Sequence, residues 1–301
     1  ILVTLWVIVT CTFFMMKNLP GTPFDAERFS IMTPQQQERV LEMYGLNDSL
    51  PMQYVKYIKN MLKGDLGTSF TYVNQDVSKV ITGRLGPSAL IGIQAVLIGL
   101  AIGLILGILA AWKHNSGIDY FTMILAVLGV SVPNFVAAAL LQYYIGLKWG
   151  VLPVGFWTGW NCSVLPSIAL SFSATAMVAR FMRTEMLDVL DQDYIVTARA
   201  KGLSQMKVLM RHAVRNSILP VVTILGPIVV NLMTGSLAVE NIFSIPGIGS
   251  LFVDCIKAND YPVIMGITIF YAAFYMLIVL LVDLAYSLID PRIRLAKGKE
   301  S

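Results

Sequence analysis

The run LGPSALIGIQAVLIGLAIGLILGILAAW, residues 85–112, carries no charged side chain between Arg84 and Lys113. An α-helix of about 20 apolar residues crosses a hydrocarbon core of about 30 Å, and this run is longer than that. Four further windows are equally free of charge: Asp119 to Lys148, Lys148 to Arg180, Arg215 to Glu240, and Asp260 to Asp283. One such window fits a buried helix in a soluble core; five in succession do not. The composition agrees. Apolar residues make up 56% of the 301 and charged residues 13%, whereas soluble chains are about 45–50% apolar and about a quarter charged.

Residues 1–16 are uncharged up to Lys17, with no basic segment ahead and no small-residue cleavage site as in a signal peptide. They are expected to form a first membrane helix whose start precedes the numbered chain. The sequence thus predicts an all-α polytopic membrane protein with six spans near 1–17, 87–112, 119–147, 164–184, 218–240 and 262–287. Six spans place both termini on one side. The segment 185–217 carries Arg199, Lys201, Lys207, Arg211 and Arg215, and the tail carries Arg292, Arg294, Lys297 and Lys299. Short loops on the opposite side offer only Lys148 and Lys257, so the positive-inside rule puts 185–217, the tail and both termini in the cytoplasm. The net charge of +4 follows from this topology and does not point to nucleic acid.

The expected organisation is therefore the first span 1–17, an extracytoplasmic element 18–86, a five-helix core 87–287 containing the cytoplasmic loop 185–217, and a tail 288–301. In the outer element Thr33-Pro34 starts one helix as N-cap and first residue. A second helix is expected over 52–62 and a turn at Gly64-Asp65-Leu66-Gly67. Cys162 and Cys255 fall on the outer side and could pair, although buried free thiols are the commoner state. His114 and His212 have no metal-ligand spacing to Cys or carboxylates, so no metal or other cofactor is expected on this chain.

An energy source is missing from the sequence. The single Gly-Lys pair, Gly298-Lys299, is followed by Glu300 and lacks the rest of a phosphate-binding loop. Ion-coupled transporters usually place ionisable groups at mid-membrane. Arg180, Glu240 and Asp283 all fall near span ends. An intramembrane enzyme would need a convergent acid, base or nucleophile set, which is absent. Uphill transport would need a partner, and 185–217 offers it a dock. Asp188, Asp191 and Asp193 precede a helical stretch, which suits the positive end of a helix dipole. Tyr194, Ala198, Lys201 and Gly202 follow at helical spacing, and a small Ala198 with a helix-terminating Gly202 would allow close approach by another surface. A second basic helix over about 204–215 leads into span five. A solvated hairpin would account for the same pattern.

The run Asp193-Tyr-Ile-Val-Thr-Ala-Arg-Ala-Lys-Gly-Leu-Ser204 resembles the coupling motif of ABC importer permeases, in the form found in the oligopeptide/dipeptide/nickel family. Further blocks match in order: 64–70, 211–220, 240–249, Asn259-Asp260-Tyr261-Pro262, and Asp290-Pro291-Arg292-Ile293-Arg294. The long first outer loop is similar to that of the B-type subunit of an oligopeptide permease. The leading Glu of the general motif falls on Val196 and its first Ala on Thr197, leaving Ala198 and Gly202 as the best-matched positions. The resemblance implies a type I ABC importer permease fold. It implies a heterodimer with a second permease, two cytoplasmic ATPase subunits that hold ATP and Mg, and an external binding protein that hands over oligopeptides, with dipeptides or nickel as alternatives. It assigns ATPase coupling to Tyr194, Thr197, Ala198, Arg199, Lys201 and Gly202. The loop would sit in an ATPase groove, with spans four and five carrying its motion to the pore.

Polar residues within spans, Asn134, Gln142, Asn231, Thr234 and Ser236, are candidates for the substrate path or for plain helix joining. Pro246-Gly247-Ile248-Gly249 is expected to form a short re-entrant outer turn before a helix over 249–257, and the resemblance makes it a candidate contact for the binding protein. Gly99, Gly103 and Gly107 recur every fourth residue, which predicts a close helix–helix seam. Pro133 and Pro227 are expected to kink spans three and five.

Overall fold

The structure, a computed structural model, describes residues 2–18, 29, 31–43, 45–72, 75–233 and 237–289. Among these the fold is all-α. Its helices are α1 (Leu2–Lys17), α2 (Pro34–Met43), α3 (Leu50–Leu62), α4 (Val77–Trp112), α5 (Gly117–Ser131), α6 (Asn134–Leu141), α7 (Val164–Leu190), α8 (Asp193–Ala200), α9 (Gln205–Val208), α10 (Arg215–Met233), α11 (Leu237–Ile242), α12 (Ile248–Lys257) and α13 (Tyr261–Ile289). A π-helical turn, Gln142–Lys148, follows α6, and another, Leu209–Val214, joins α9 to α10. The chain forms two compact units, Ile1–Gly86 with Pro246–Phe274, and Pro87–Ile245 with Tyr275–Ser301.

In the first unit the expected helix start at Thr33 is a reciprocal cap. The Gln36 N–H donates to Thr33 Oγ1 at 3.4 Å, and the Thr33 N–H to Gln36 Oε1 at 2.9 Å. Pro51 lies in the first turn of α3, where a missing N–H costs no helical bond. α3 packs on α1 through aromatic rings, Phe13 against Tyr54 and Tyr57, and through a 2.7 Å hydrogen bond shared by Thr10 Oγ1 and Tyr54 Oη. Its apolar core joins Val77 and Ile81 of α4 to Ile248, Leu251 and Cys255 of α12 and Val263, Ile264 and Ile267 of α13.

Asp260 is the polar keystone of this unit. It is fully buried. Its carboxylate accepts from the Ser69 hydroxyl, from the Phe70 and Thr71 N–H groups at 3.2 and 3.1 Å, and from the Val263 N–H at 3.4 Å. It thereby caps α13 and ties it to residues 69–71. Two sequence blocks that stand about 190 positions apart are thus one structural feature.

The second unit is held by the glycine seam. A Cβ on Gly99 would lie 2.7 Å from Ala174 Cβ, one on Gly103 2.7 Å from Val178 Cβ, and one on Gly107 2.6 Å from the Ala179 carbonyl oxygen. The stripe is therefore the packing surface of α4 on α7, at a distance that side chains would forbid. Around it Ile91, Leu165, Leu170, Met182, Met186, Val221 and Phe243 form the core.

The two spans expected to kink at proline behave differently. Span three is broken at Pro133 and not merely kinked. α5 and the following 134–148 segment meet at 100°, at a break centred on Pro133. Val132 is extended (φ −81°, ψ 118°), because the proline ring disfavours a helical residue before it. α10, by contrast, runs on through Pro220 and Pro227. Among the described residues four helices are long and apolar enough to cross a membrane; the bent pair supplies a fifth if it is one span, and α1 is a shorter apolar helix. Cys162 and Cys255 are buried free thiols, and burial pushes the Cys255 thiol up to about 12.

Candidate functional site

α7 runs on to Leu190, beyond the membrane boundary expected at 184. After a turn at Asp191, α8 begins with Asp193 in its first turn. It lasts eight residues and ends in a Schellman motif: the Gly202 N–H donates to the Arg199 carbonyl at 3.0 Å and the Leu203 N–H to the Ala198 carbonyl at 3.4 Å. Gly202 sits at φ +76°, and a Cβ there would meet nothing within 4 Å. Within this chain glycine is therefore required at 202 by backbone conformation. The chain then returns through α9 and its π turn into α10 without a gap.

Long-range contacts hold this hairpin as a solid piece. Ile195, Ala198 and Val208 form a small buried core with Val189 and Leu190. Ser217 Oγ donates to the Glu185 carbonyl at 3.2 Å, joining the returning arm to the outgoing one. Asn216 Nδ2 donates to Tyr194 Oη at 3.0 Å, joining the arm to α8 itself. Ala198 is only 6% exposed and faces inward. Tyr194, Thr197, Arg199, Lys201 and Gly202 are exposed. Beside them lie exposed apolar side chains, Val196 (59%), where the general motif has its Glu, and Leu203, Met206 and Met210, none of which is among the coupling positions above. Apolar residues on the exposed face of a basic, polar loop were the available signal.

A buried ion pair braces the same arm higher up. Asp119, 2% exposed at the start of α5, accepts from Arg183 of α7 in a bidentate pair, Nε to Oδ1 at 2.6 Å and Nη2 to Oδ2 at 2.8 Å. The Asn115 N–H donates to the same carboxylate at 3.0 Å, and His114 Nδ1 lies 3.1 Å from it. The segment 113–119 is thus fixed to the helix that leads into α8.

The remaining candidates separate by position. Gln142 spends its amide on main-chain carbonyls, donating to Val154 at 2.6 Å and Ile242 at 2.7 Å, so it joins elements. Asn134 is half-buried at the start of α6, beside the break. Asn231 lines an open cleft of ≈ 200 Å³ between α7 and α10, with Ser173, Met177 and Pro227. Thr234 and Ser236 lie outside the described residues, as do 290–294 and the tail. Glu240, read as a span-end charge, is buried and accepts from Ser88 Oγ at 2.7 Å. At 246–249 the expected turn is a helix start. Gly247 caps α12 through reciprocal bonds with Ser250, Pro246 is half-buried, and Ile248 lies in the first unit's core. Among the described residues no cluster of three metal-binding side chains occurs.

Two family patterns cover the chain. Residues 1–85 match the N-terminal component, and residues 103–295 match the family described as binding-protein-dependent transport system inner membrane component. The chain belongs to that family. Curated relatives span almost the whole length of the chain. A dipeptide transport system permease protein, DppB, of Lactococcus lactis is 45% identical over 98% of this chain and 96% of its own. DppB of Bacillus subtilis is 44% identical over 98% and 95%. An oligopeptide transport system permease protein, OppB, of Salmonella typhimurium is 39% identical over 97% and 95%. Among solved structures, a chain of the MetNI methionine ABC transporter aligns with a TM-score of 0.60 at 14% identity, covering 70% of this chain and 96% of its own. An amino acid ABC transporter chain aligns at 0.53 and 19%, covering 71% and 94%. At that identity these two speak for the fold.

Proposed function

We propose that this chain is the pore-forming permease subunit of an ATP-driven importer of peptides, with ATP hydrolysed by separate subunits. The observation that carries this reading is the likeness to peptide permeases over the whole chain. The assembly would contain a second permease, two cytoplasmic ATPases and an external binding protein, in a cell membrane with both termini cytoplasmic. The sequence blocks favour oligopeptides, whereas the dipeptide permeases above are the more identical relatives.

In this reading the exposed face of α8 docks on an ATPase. Tyr194, Thr197, Arg199 and Lys201 make contacts, and Val196, Leu203 and Met206 bury apolar area. Ala198 and Gly202 act from behind, one seating the helix on its arms and the other closing it. Because the hairpin is cross-braced, a force on α8 reaches α7 and α10 with little loss. The ATP-bound state must favour one pore conformation by differential contacts, since tight docking alone shifts nothing. Among the described substrate-path candidates, Asn231 is favoured by its position in the cleft between those two arms. A binding-protein contact at 246–249 would fall to Pro246 and the main chain, because Ile248 is buried.

The test is co-purification from native membranes, identification of the partner chains, and uptake by the complex in proteoliposomes. ATP-dependent accumulation of labelled peptides is expected, and a series from two residues upward sets the size class. Uptake by the chain alone, driven by an ion gradient, would refute the reading. Gly202→Asp should lower uptake and uncouple ATP hydrolysis while the permease pair still assembles; normal uptake would remove the coupling role.

A further inference from the structure

The first unit holds a cavity of ≈ 340 Å³ for which the transport reading has no use. Phe13 and Lys17 of α1, Glu42 of α2, Tyr57 of α3, and Phe70 and Tyr261 are among its lining residues. Most of the other polar groups around it are already committed. Lys56 pairs with Asp48 at 2.6 Å, Gln53 donates to the Leu46 and Asp48 carbonyls, and Asp65 accepts from the Gly67 N–H at 2.8 Å.

Three groups are different. The Tyr57 hydroxyl is shielded from water and has no hydrogen-bond partner, alone among the buried side-chain polar atoms of the described residues. An orphaned buried hydroxyl costs about 1–3 kcal/mol. The Lys17 ammonium is half-buried and lies 5.8 Å over the Phe13 ring, with no carboxylate partner among the described residues. Glu42, exposed at the rim, likewise has no ion pair among them. A cation with a phenol inside, and an anion outside, together ask for a zwitterion.

Depth selects which zwitterion. Lys17 is the first charge after the apolar run of α1, which sets it at the membrane–water boundary, where Tyr side chains also concentrate. Phe14 and Met15, within one turn of Lys17, are exposed and apolar. They continue the lipid-facing surface of α1 up to the cavity. An occupant with a charged head at the boundary and a chain along Phe14 and Met15 meets every one of these conditions.

We propose that this cavity binds the headgroup of a zwitterionic phospholipid with a primary ammonium. Lys17 and the Tyr57 hydroxyl hold the phosphate oxygens, a small side-chain adjustment bringing the hydroxyl to its acceptor. Glu42 takes the ammonium. Phosphatidylglycerol carries the same phosphate but a neutral glycerol in place of the ammonium, which leaves Glu42 without a counter-charge, so the site selects against it.

The purified complex, delipidated in detergent and titrated with defined lipids under native mass spectrometry, tests this. The probes are phosphatidylethanolamine, phosphatidylglycerol and inorganic phosphate. Wild type should retain phosphatidylethanolamine in preference to phosphatidylglycerol. Lys17→Gln should weaken that binding about tenfold or more, the loss of one charge-assisted hydrogen bond. Glu42→Gln should reduce the preference for phosphatidylethanolamine over phosphatidylglycerol. Tyr57→Phe should weaken lipid binding while leaving the melting temperature of the lipid-free protein unchanged or raised, which a purely structural hydroxyl would not do. Equal binding of both lipids, unchanged binding by Lys17→Gln, or inorganic phosphate that competes as well as lipid would each overturn the proposal. So would a peptide found in place of lipid. None of these outcomes bears on the transport reading.

Discussion

Removing the Arg183 side chain should unseat α5 from α7. Arg183→Ala deletes two charge-assisted hydrogen bonds, at 2.6 and 2.8 Å, and leaves Asp119 buried with the Asn115 N–H and His114. Two such bonds are worth about 1.5–3 kcal/mol each, and breaking one side of a buried pair costs about 3–5 kcal/mol. Arg183 is 21% exposed, so water repays part of the loss and about 3 kcal/mol remains. At about 2–4 °C per kcal/mol for a body of this size, the melting temperature in mild detergent, followed by thiol-reactive dye or circular dichroism, should fall by about 6–12 °C. Asp119→Leu combined with Arg183→Met removes both charges and should recover most of that loss, since an apolar pair carries no stranded carboxylate. A single variant within 1–2 °C of wild type, on that same scale, would show that the carboxylate is solvated and the brace imaginary. A double variant no better than Arg183→Ala would refute the stranded-charge argument in particular.

Four other substitutions have definite expected outcomes. Gly202→Ala forces a Cβ into a left-handed residue and should cost about 1–2 kcal/mol locally; hydrogen exchange should speed up at 199–204 and not along α7. Gly103→Leu meets Val178 and the Thr175 carbonyl at under 3 Å from its first carbon, so stable, monodisperse protein should be lost on size exclusion. Gly83→Ala, with nothing within 4 Å, should be harmless. Ser244 closes α11 at φ +51° in a Schellman motif, with the Ile245 N–H on the Glu240 carbonyl at 2.9 Å. Ser244→Gly should therefore raise stability by roughly 0.5–1 kcal/mol, read as a small rise in melting temperature.

What could be read in advance followed from distance along the chain. The apolar runs were plain because crossing a membrane imposes a length, and the glycine stripe because close packing imposes a period. Gly202 was visible as a helix stop because that task is local. The inward orientation of Ala198 was not, since it depends on Val208 arriving from the other arm. Gln142 was left between two readings and Ile248 was read as a loop residue for the same reason: a polar residue in a span and an apolar one in a loop gain their meaning from carbonyls and side chains 100 or more positions away. The break at Pro133 was anticipated as a kink, but the angle depends on where Val132 settles in its extended range. Asp119 and Arg183 stood in the sequence as two charges 64 positions apart with nothing local to pair them.

The Asp260 keystone also dictates an order of events during synthesis. The unit it closes is assembled from residues 1–86 and 246–274, separated by roughly 160 residues of the other unit. At about 5–20 residues per second, the ribosome needs roughly 10–30 s to deliver the second piece. During that interval Ser69 and the 70–71 main chain have no carboxylate to bind, and the apolar faces of Val77 and Ile81 have no α12 or α13 to cover them. Nascent chains stalled before residue 260 should therefore expose residues 65–72 to protease and lose that sensitivity once α13 emerges.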